Sequence, residues 1–140
     1  GWMNTTEIFH LSTLTLTPGP KMQSPRVSCA DVTLDARRIL VVGGFAGPTF
    51  LSTTEIFSLD TMAFTPGPIM ATPRKGCAAV ALDEHRVMVA GGSSGSGYLN
   101  TKEILEVRTM AFAPGPSMGS ARCLFAAVAV DAQHVLVLGG

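Results

Sequence analysis

The strongest constraint on the fold of this chain is an internal repeat of 48 residues. The pentapeptide Thr-Thr-Glu-Ile-Phe, changed to Thr-Lys-Glu-Ile-Leu in its last copy, occurs at residues 5–9, 53–57 and 101–105. Pro-Gly-Pro and Gly-Gly recur with the same period. The 140 residues therefore form a single repeat domain whose three units align without a gap. These units are residues 1–48, 49–96 and 97–140.

Positions that are identical in all three units have a mixed character. In the first unit they include Thr5, Glu7, Ile8, Thr13, Met22, Arg26, Ala30, Val32, Asp35 and Val41. The repeat also fixes Glu55, Glu103 and the glycine pairs Gly43, Gly44, Gly91, Gly92, Gly139 and Gly140. Turn formers, core residues and one acid–base pair are combined here. Because an active site would occur only once, this mixture indicates a structural unit.

Each unit is predicted to contain four short strands. In the second unit they cover residues 54–59, 62–65, 76–82 and 86–90. Proline and glycine interrupt the chain too often for a helix of ten residues, so we predict an all-β chain of about twelve strands. Four strands in a period of nearly fifty residues are typical of a β-propeller blade. The small residues of the strand containing Ala78 and Ala79 suit the innermost strand, where blades converge.

Composition excludes several classes of function. Ten Lys and Arg balance ten Asp and Glu, which argues against a nucleic-acid binder and against attraction to a membrane surface. No apolar run approaches the roughly 20 residues needed to cross a bilayer, and no signal peptide is recognisable. The odd and widely spaced Cys29, Cys77 and Cys123 suggest buried, reduced thiols in an intracellular chain.

In its ordered motifs the chain resembles the kelch repeat family. An apolar strand ends in Gly-Gly, a strand bearing Glu follows, and an aromatic position, Met and Arg come next, three times over. Two family positions differ: the usual Tyr is Phe9, Phe57 and Leu105, and the usual Trp is Leu16, Phe64 and Phe112. The resemblance covers the whole chain. It implies a propeller of four-stranded antiparallel blades and, most often, protein–protein interaction.

The order of strands predicts two complete blades and two halves. The complete blades fall at residues 28–66 and 76–114, and the half-blades at 5–17 and 124–140. Joining the halves within one chain would close a ring of three blades, whereas known propellers have about four to eight. Unpaired strand edges are adhesive. We therefore predict a homodimer in which exchanged half-blades give six blades around a twofold axis.

Arg26, Arg74 and Arg122 precede the predicted inner strands and are the candidate binding residues at the channel rim. In a dimer they could form a cationic ring for an acidic peptide or a small anion. In some kelch propellers an arginine at this point contacts an acidic peptide. Alternatively, each arginine pairs with Glu7, Glu55 or Glu103 and locks neighbouring strands together.

No catalytic, metal or cofactor site is predicted. His10, His85 and His134 occupy different repeat positions and do not form a ligand pattern. Copper oxidases of the galactose-oxidase type need tyrosine ligands, and this chain has the single Tyr98. No sialidase-like arrangement and no Gly-x-Ser-x-Gly motif is present.

The sequence thus predicts a self-assembling scaffold for protein–protein interaction, which is not an enzyme. Its predicted partners are a second copy and a protein or acidic peptide. Two alternatives remain: a propeller enzyme or sugar-binding domain of the galactose-oxidase-like or sialidase-like type, and a designed or excised fragment whose role is assembly alone.

Overall fold

The computed structural model describes all 140 residues, and every regular element in it is a β-strand. The fourteen strands in chain order are β1 (Glu7–His10), β2 (Thr15–Pro18), β3 (Ala30–Asp35), β4 (Arg38–Val42), β5 (Phe45–Ala46), β6 (Thr49–Phe50), β7 (Thr54–Ser58), β8 (Ala63–Pro66), β9 (Ala78–Ala81), β10 (Arg86–Ala90), β11 (Lys102–Glu106), β12 (Ala111–Gly115), β13 (Ala126–Ala129) and β14 (Val135–Leu138). The structure contains no helix that could span a membrane.

Two antiparallel sheets of four strands form the centre of the chain. The first blade has the strand order β3-β4-β7-β8, and the second has β9-β10-β11-β12. Two sheets of two strands flank them: β1-β2 is the N-terminal half-blade and β13-β14 is the C-terminal half-blade. The predicted all-β class, the four-stranded antiparallel sheets and their positions in the chain are confirmed. The small hairpin β5-β6 was not predicted.

The Pro-Gly-Pro motif ends the outer strand one residue later than the sequence suggested. Pro66 is the last residue of β8 and lies opposite Glu55 in the sheet. Because β8 is an edge strand, a residue without an N–H leaves no neighbouring strand unsatisfied there. The same holds for Pro18 in β2, and β12 continues through Pro114 to Gly115.

The hydrophobic core lies between the two complete blades. Leu40 and Val42 on β4 pack against Val87 and Val89 on β10, and all four are almost fully buried. Alternate residues of each strand point into this interface, as a period of two requires. Met70, which occupies the repeated methionine position, belongs to the same cluster. Burying a side chain of this size contributes about 1.5–3 kcal/mol.

The inner strands carry small residues where the blades converge. β9 lies between β3 and β13, and its Ala78 and Val80 are buried. A large side chain would force neighbouring blades apart at this point. The prediction that this strand is innermost agrees with its position.

The Gly-Gly pair brings the end of one blade against the loop that enters the next. Gly43 has φ +61°, and a Cβ there would lie 2.3 Å from the carbonyl oxygen of Arg74. The N–H of Gly44 donates to that same oxygen at 2.8 Å. The position thus needs glycine both for its backbone conformation and for its close approach.

Aspartates form the tight turn between the last two strands of each unit. Oδ1 of Asp35 accepts the N–H of Arg37 at 2.9 Å, and Asp83 and Asp131 accept the N–H of the residue two positions on. The N–H of Arg37 lowers the pKa of Asp35, and the guanidinium of Arg86 lowers the pKa of Asp83. These bonds are the usual way in which Asp stabilises a turn.

Candidate functional site

Arg26 is held in a buried site between two units of the repeat. Its Nε lies 3.1 Å from Oε1 of Glu55 on β7. Its Nη1 donates to the carbonyl oxygens of Gly43 at 2.8 Å and Thr53 at 2.9 Å, and its Nη2 donates to Oγ1 of Thr53 at 3.0 Å. The guanidinium therefore binds the end of β4 and the start of β7 together.

The carboxylate of Glu55 is satisfied from the other side. It accepts the N–H of Gln23 at 2.7 Å and the N–H of Ser24 at 3.0 Å. These residues belong to the loop after the N-terminal half-blade, so the glutamate ties that loop to the first blade. We call this arrangement of arginine, glutamate, threonine, glycine and two loop N–H groups the arginine–glutamate site.

Arg74 forms a second arginine–glutamate site one repeat later. Its Nη2 lies 3.1 Å from Oε2 of Glu103, and it donates to the carbonyl oxygens of Gly91 and Thr101 at 2.9 and 3.0 Å. The N–H of Ala71 donates to Glu103 at 2.7 Å. Arg74 is fully buried, and no buried side-chain polar atom in the structure lacks a partner.

These two sites are structural in their geometry. A buried ion pair survives only if its charges and remaining hydrogen bonds are satisfied, and removing one partner typically costs about 3–5 kcal/mol. Here each guanidinium and each carboxylate is enclosed by the groups described above. The arrangement fixes the position of one blade against the next and leaves neither arginine free to bind a ligand.

The third copy of the site is incomplete. Arg122 donates to the carbonyl oxygen of Gly139, as its two equivalents do to Gly43 and Gly91. No carboxylate accompanies it, and the N–H groups of Gly119 and Ser120 make no hydrogen bond. We call this group the arginine half.

The matching glutamate half lies on the N-terminal half-blade. Glu7 on β1 is exposed and forms no ion pair, and Thr5, two residues earlier, is exposed too. The structure thus brings Arg26 and Arg74 to Glu55 and Glu103 but does not bring Arg122 to Glu7. A binding role for Arg122 at the predicted channel rim stays a prediction.

Both half-blades also expose apolar side chains. On β1, β2 and the turn between them these are Phe9, Leu11, Leu14 and Leu16, and on β13, β14 and the residue after β13 they are Val128, Val130, Leu136 and Leu138. Every one of these eight is at least 47% exposed. The sequence analysis predicted adhesive strand edges but missed these apolar faces. Comparing each of these residues with its repeat equivalents in the complete blades, which are apolar as well, would have found them.

An aromatic cluster was also missed. Trp2 packs edge-on against Phe45 at a ring distance of 5.7 Å, and Phe45 packs against Phe50 at 5.0 Å. The ammonium group of Lys75 lies 4.8 Å from the centre of the Phe45 ring. The cluster covers the hairpin β5-β6. One repeat later this hairpin is reduced to a single bridge between Ser93 and Tyr98, where Ser93 replaces Phe45.

The remaining candidate residues lie apart from one another. His10 hydrogen-bonds Thr17, His85 lies 3.1 Å from Glu84, and His134 lies 2.8 Å from Asp131. No group of three His, Cys, Asp or Glu side chains converges on a point that could hold a metal ion.

All three cysteines are free, but only Cys77 is buried, so the prediction of buried thiols is wrong for the partly exposed Cys29 and Cys123. Burial raises the pKa of Cys77 to about 11, and burial also raises the pKa of Cys29. A thiol that keeps its proton in this way is a poor nucleophile.

Comparison with known proteins identifies the repeat. A family model described as the Kelch motif matches residues 26–71, which run from the first buried arginine through the whole first blade. No curated protein matches the chain. A Kelch motif is therefore present at residues 26–71, and the all-β fold of four-stranded antiparallel sheets agrees with a kelch-type propeller.

Proposed function

We propose that the chain is a self-assembling kelch-type scaffold for protein–protein interaction, in which two copies complete a six-bladed ring. The N-terminal half-blade of each copy adds to the C-terminal half-blade of the other. Kelch propellers commonly serve protein interaction, and here the surface with the best support is the one that would receive a second copy.

The observation that carries this proposal is that the exposed faces are repeat equivalents of the core. Val128, Val130, Leu136 and Leu138 correspond to Val32, Leu34, Leu40 and Val42 of the buried cluster. Phe9, Leu11, Leu14 and Leu16 correspond to Leu105, Val107, Met110 and Phe112, which belong to the same cluster or pack on it. Exposed apolar groups of this extent mark interaction surfaces.

The repeat also gives the strand register of the assembly. In the complete blades, Val41 lies opposite Glu55 and Leu40 opposite Ile56. Carrying this pairing forward places Val137 opposite Glu7 of a second copy, with Leu136 opposite its Ile8. The free edge of β14 would thus gain a full antiparallel partner.

Two copies give a ring of acceptable size. Each copy contributes two complete blades and two halves, so a closed pair has six blades, within the usual range of propellers. The same contact occurs twice around a twofold axis, so closure pairs the free edges of β14 and β1 in both copies. Within one chain, β1-β2 and β13-β14 remain separate sheets.

We further propose that the role is binding, without catalysis. The charged side chains at repeated positions are occupied in holding units together, as at Arg74. Screens for hydrolase and oxidase activity on the purified chain test this statement, and turnover of any substrate in either screen would contradict it.

Light scattering coupled to size exclusion tests the assembly. The proposal expects a mass of about twice 14.6 kDa, and Leu16→Lys, which places a charge on the exposed face of the N-terminal half-blade, is expected to return the mass to one chain. A folded wild-type monomer at all concentrations would refute the proposal.

Ile69 offers a matched control for that variant. It is also exposed, at 67%, but its repeat equivalents are Lys21 and Ser117, so the position does not need an apolar residue in any unit. Ile69→Lys is expected to leave the mass of the assembly unchanged. If Ile69→Lys dissociates the protein as Leu16→Lys does, the apolar face is not the interface.

A further inference from the structure

We propose that Glu7 of one copy completes the arginine half of another copy, so that the arginine–glutamate site selects which half-blades pair. This inference rests on the proposed half-blade exchange and names the residues that make it specific. Two intact sites within the chain show what the third should look like.

The spacing of the intact sites identifies the missing residue. Arg26 meets Glu55 and Arg74 meets Glu103, in each case 29 positions further along the chain. The same step from Arg122 reaches the position that Glu7 occupies in the 48-residue repeat. Glu7 is thus the equivalent glutamate, and Thr5 before it and Ile8 after it are also conserved positions of the repeat.

The arginine half is already arranged for a carboxylate. The bond from Arg122 to the Gly139 carbonyl repeats the bonds from Arg26 to Gly43 and from Arg74 to Gly91. The Nε of Arg122 makes no hydrogen bond, in contrast to the Nε of Arg26 and Arg74, which face Glu55 and Glu103. Preformed donors of this kind favour a carboxylate that arrives in a fixed position.

Backbone donors complete the arginine half. The N–H groups of Gly119 and Ser120 correspond to those of Ala71 and Thr72, which donate to Glu103 at 2.7 and 3.3 Å. The free N–H of Gly139 corresponds to that of Gly91, which donates to the Thr101 carbonyl at 3.0 Å. Thr5 of a second copy would supply that carbonyl and a hydroxyl for Arg122.

Substitution of either residue is expected to weaken the dimer. Glu7→Gln leaves Arg122 of the other copy without its carboxylate, and Arg122→Met leaves Glu7 without its guanidinium. Truncating one member of a buried interfacial charge pair commonly raises the dissociation constant by about a hundredfold or more. Both residues are away from the core of the single chain, so its circular dichroism should not change.

Mixing the two variants gives the decisive measurement. A heterodimer of Glu7→Gln with Arg122→Met has one intact site and one site that has lost both charges, whereas each homodimer has two sites with an orphaned charge. Native mass spectrometry of an equal mixture should therefore show heterodimer well above the statistical half.

The outcomes separate this inference from the assembly itself. If the wild type is dimeric but both variants dimerise equally well and mix statistically, the inference is overturned and half-blade exchange stands. If an acidic peptide binds the dimer and Arg122→Met abolishes that binding, Arg122 is a ligand site and Glu7 does not occupy it. If the wild type is monomeric, the proposed function fails as well.

The matched control is Glu103→Gln, which breaks an equivalent site within one chain. It is expected to lower the unfolding midpoint of the separated chain without producing heterodimer preference when mixed with Arg122→Met. Heterodimer preference in that control mixture would contradict the assignment to Glu7.

Discussion

The two complete blades and the two half-blades have the same sequence pattern but opposite surroundings. Leu40, in the first blade, is completely buried, whereas Leu136, its equivalent in the C-terminal half-blade, is 48% exposed. Arg74 has every donor occupied, and Arg122 has only its bond to Gly139. Equivalent residues of the repeat are thus buried where a neighbouring blade covers them and exposed where none does.

This difference shows that the residues conferring stability in a repeat protein act across the boundary between units. A blade cannot bury its outer face by itself, so each unit depends on the next. The half-blades of this chain are folded as hairpins, and each leaves one apolar face exposed. The comparison therefore distinguishes the stability that a blade gains from the pairing of its own strands from the stability that it gains by packing on the adjacent blade.

The largest predicted effect concerns the buried arginine. Arg74→Met should lower the free energy of unfolding by about 3–5 kcal/mol, because it leaves Glu103 buried without its partner. Arg122→Met should lower it by no more than about 0.5 kcal/mol in dilute, dissociated protein. Urea denaturation of both variants measures this difference. Equal losses of unfolding free energy in the two variants would mean that the enclosure of Arg74 does not contribute to stability.

A smaller but still large difference is expected for the apolar pair. Leu40→Ala should cost about 2–5 kcal/mol, because it opens a cavity in the core between the blades. Leu136→Ala should cost less than about 1 kcal/mol in dilute solution, where its side chain is already half exposed. Denaturation at rising protein concentration sharpens the comparison, since assembly would bury Leu136. A cost that stays constant with concentration would argue against assembly through that face.

Much of the fold could be predicted from the sequence, because short motifs that recur in each unit mark its turns and strands. Gly-Gly, Pro-Gly-Pro and the Asp turns place the strand ends, and the alternation of apolar residues assigns the four strands of each unit. The pairing of Arg26 with Glu55, and not with Glu7 in its own unit, required the structure. That contact crosses a unit boundary, and a repeat period alone does not say which copy of a residue lies nearest.

Cys77 provides a test through pH. Burial raises its pKa from 9.0 to about 11, so the folded state keeps a proton that the unfolded state loses. The resulting stability is complete below about pH 9 and disappears as the pH rises toward 11, a loss of about 3 kcal/mol. The free energy of unfolding should therefore fall more steeply over this range in the wild type than in Cys77→Ala.

Cys29 sharpens the same test. It occupies the equivalent position immediately before β3, in the blade that has no complete blade before it, and it is only partly buried. Thiol labelling at neutral pH should therefore modify Cys29 faster than Cys77. Equal labelling rates, or a pH dependence unchanged by Cys77→Ala, would show that the second blade does not shield its thiol.

The smallest predicted difference concerns the paired glycines. Gly43 and Gly139 both have positive φ, at +61° and +71°, so alanine at either should cost about 1 kcal/mol through the backbone. At Gly43 the new Cβ would also meet the Arg74 carbonyl at 2.3 Å, whereas at Gly139 it would meet nothing within 4 Å. Gly43→Ala should thus be the more damaging in dilute protein, by about 1 kcal/mol or more in urea denaturation.

In a closed ring the loop of another copy would approach Gly139 as Arg74 approaches Gly43, so Gly139→Ala should then also weaken the dimer. A Gly139→Ala variant that dimerises like the wild type would place the neighbouring loop farther away than the repeat predicts.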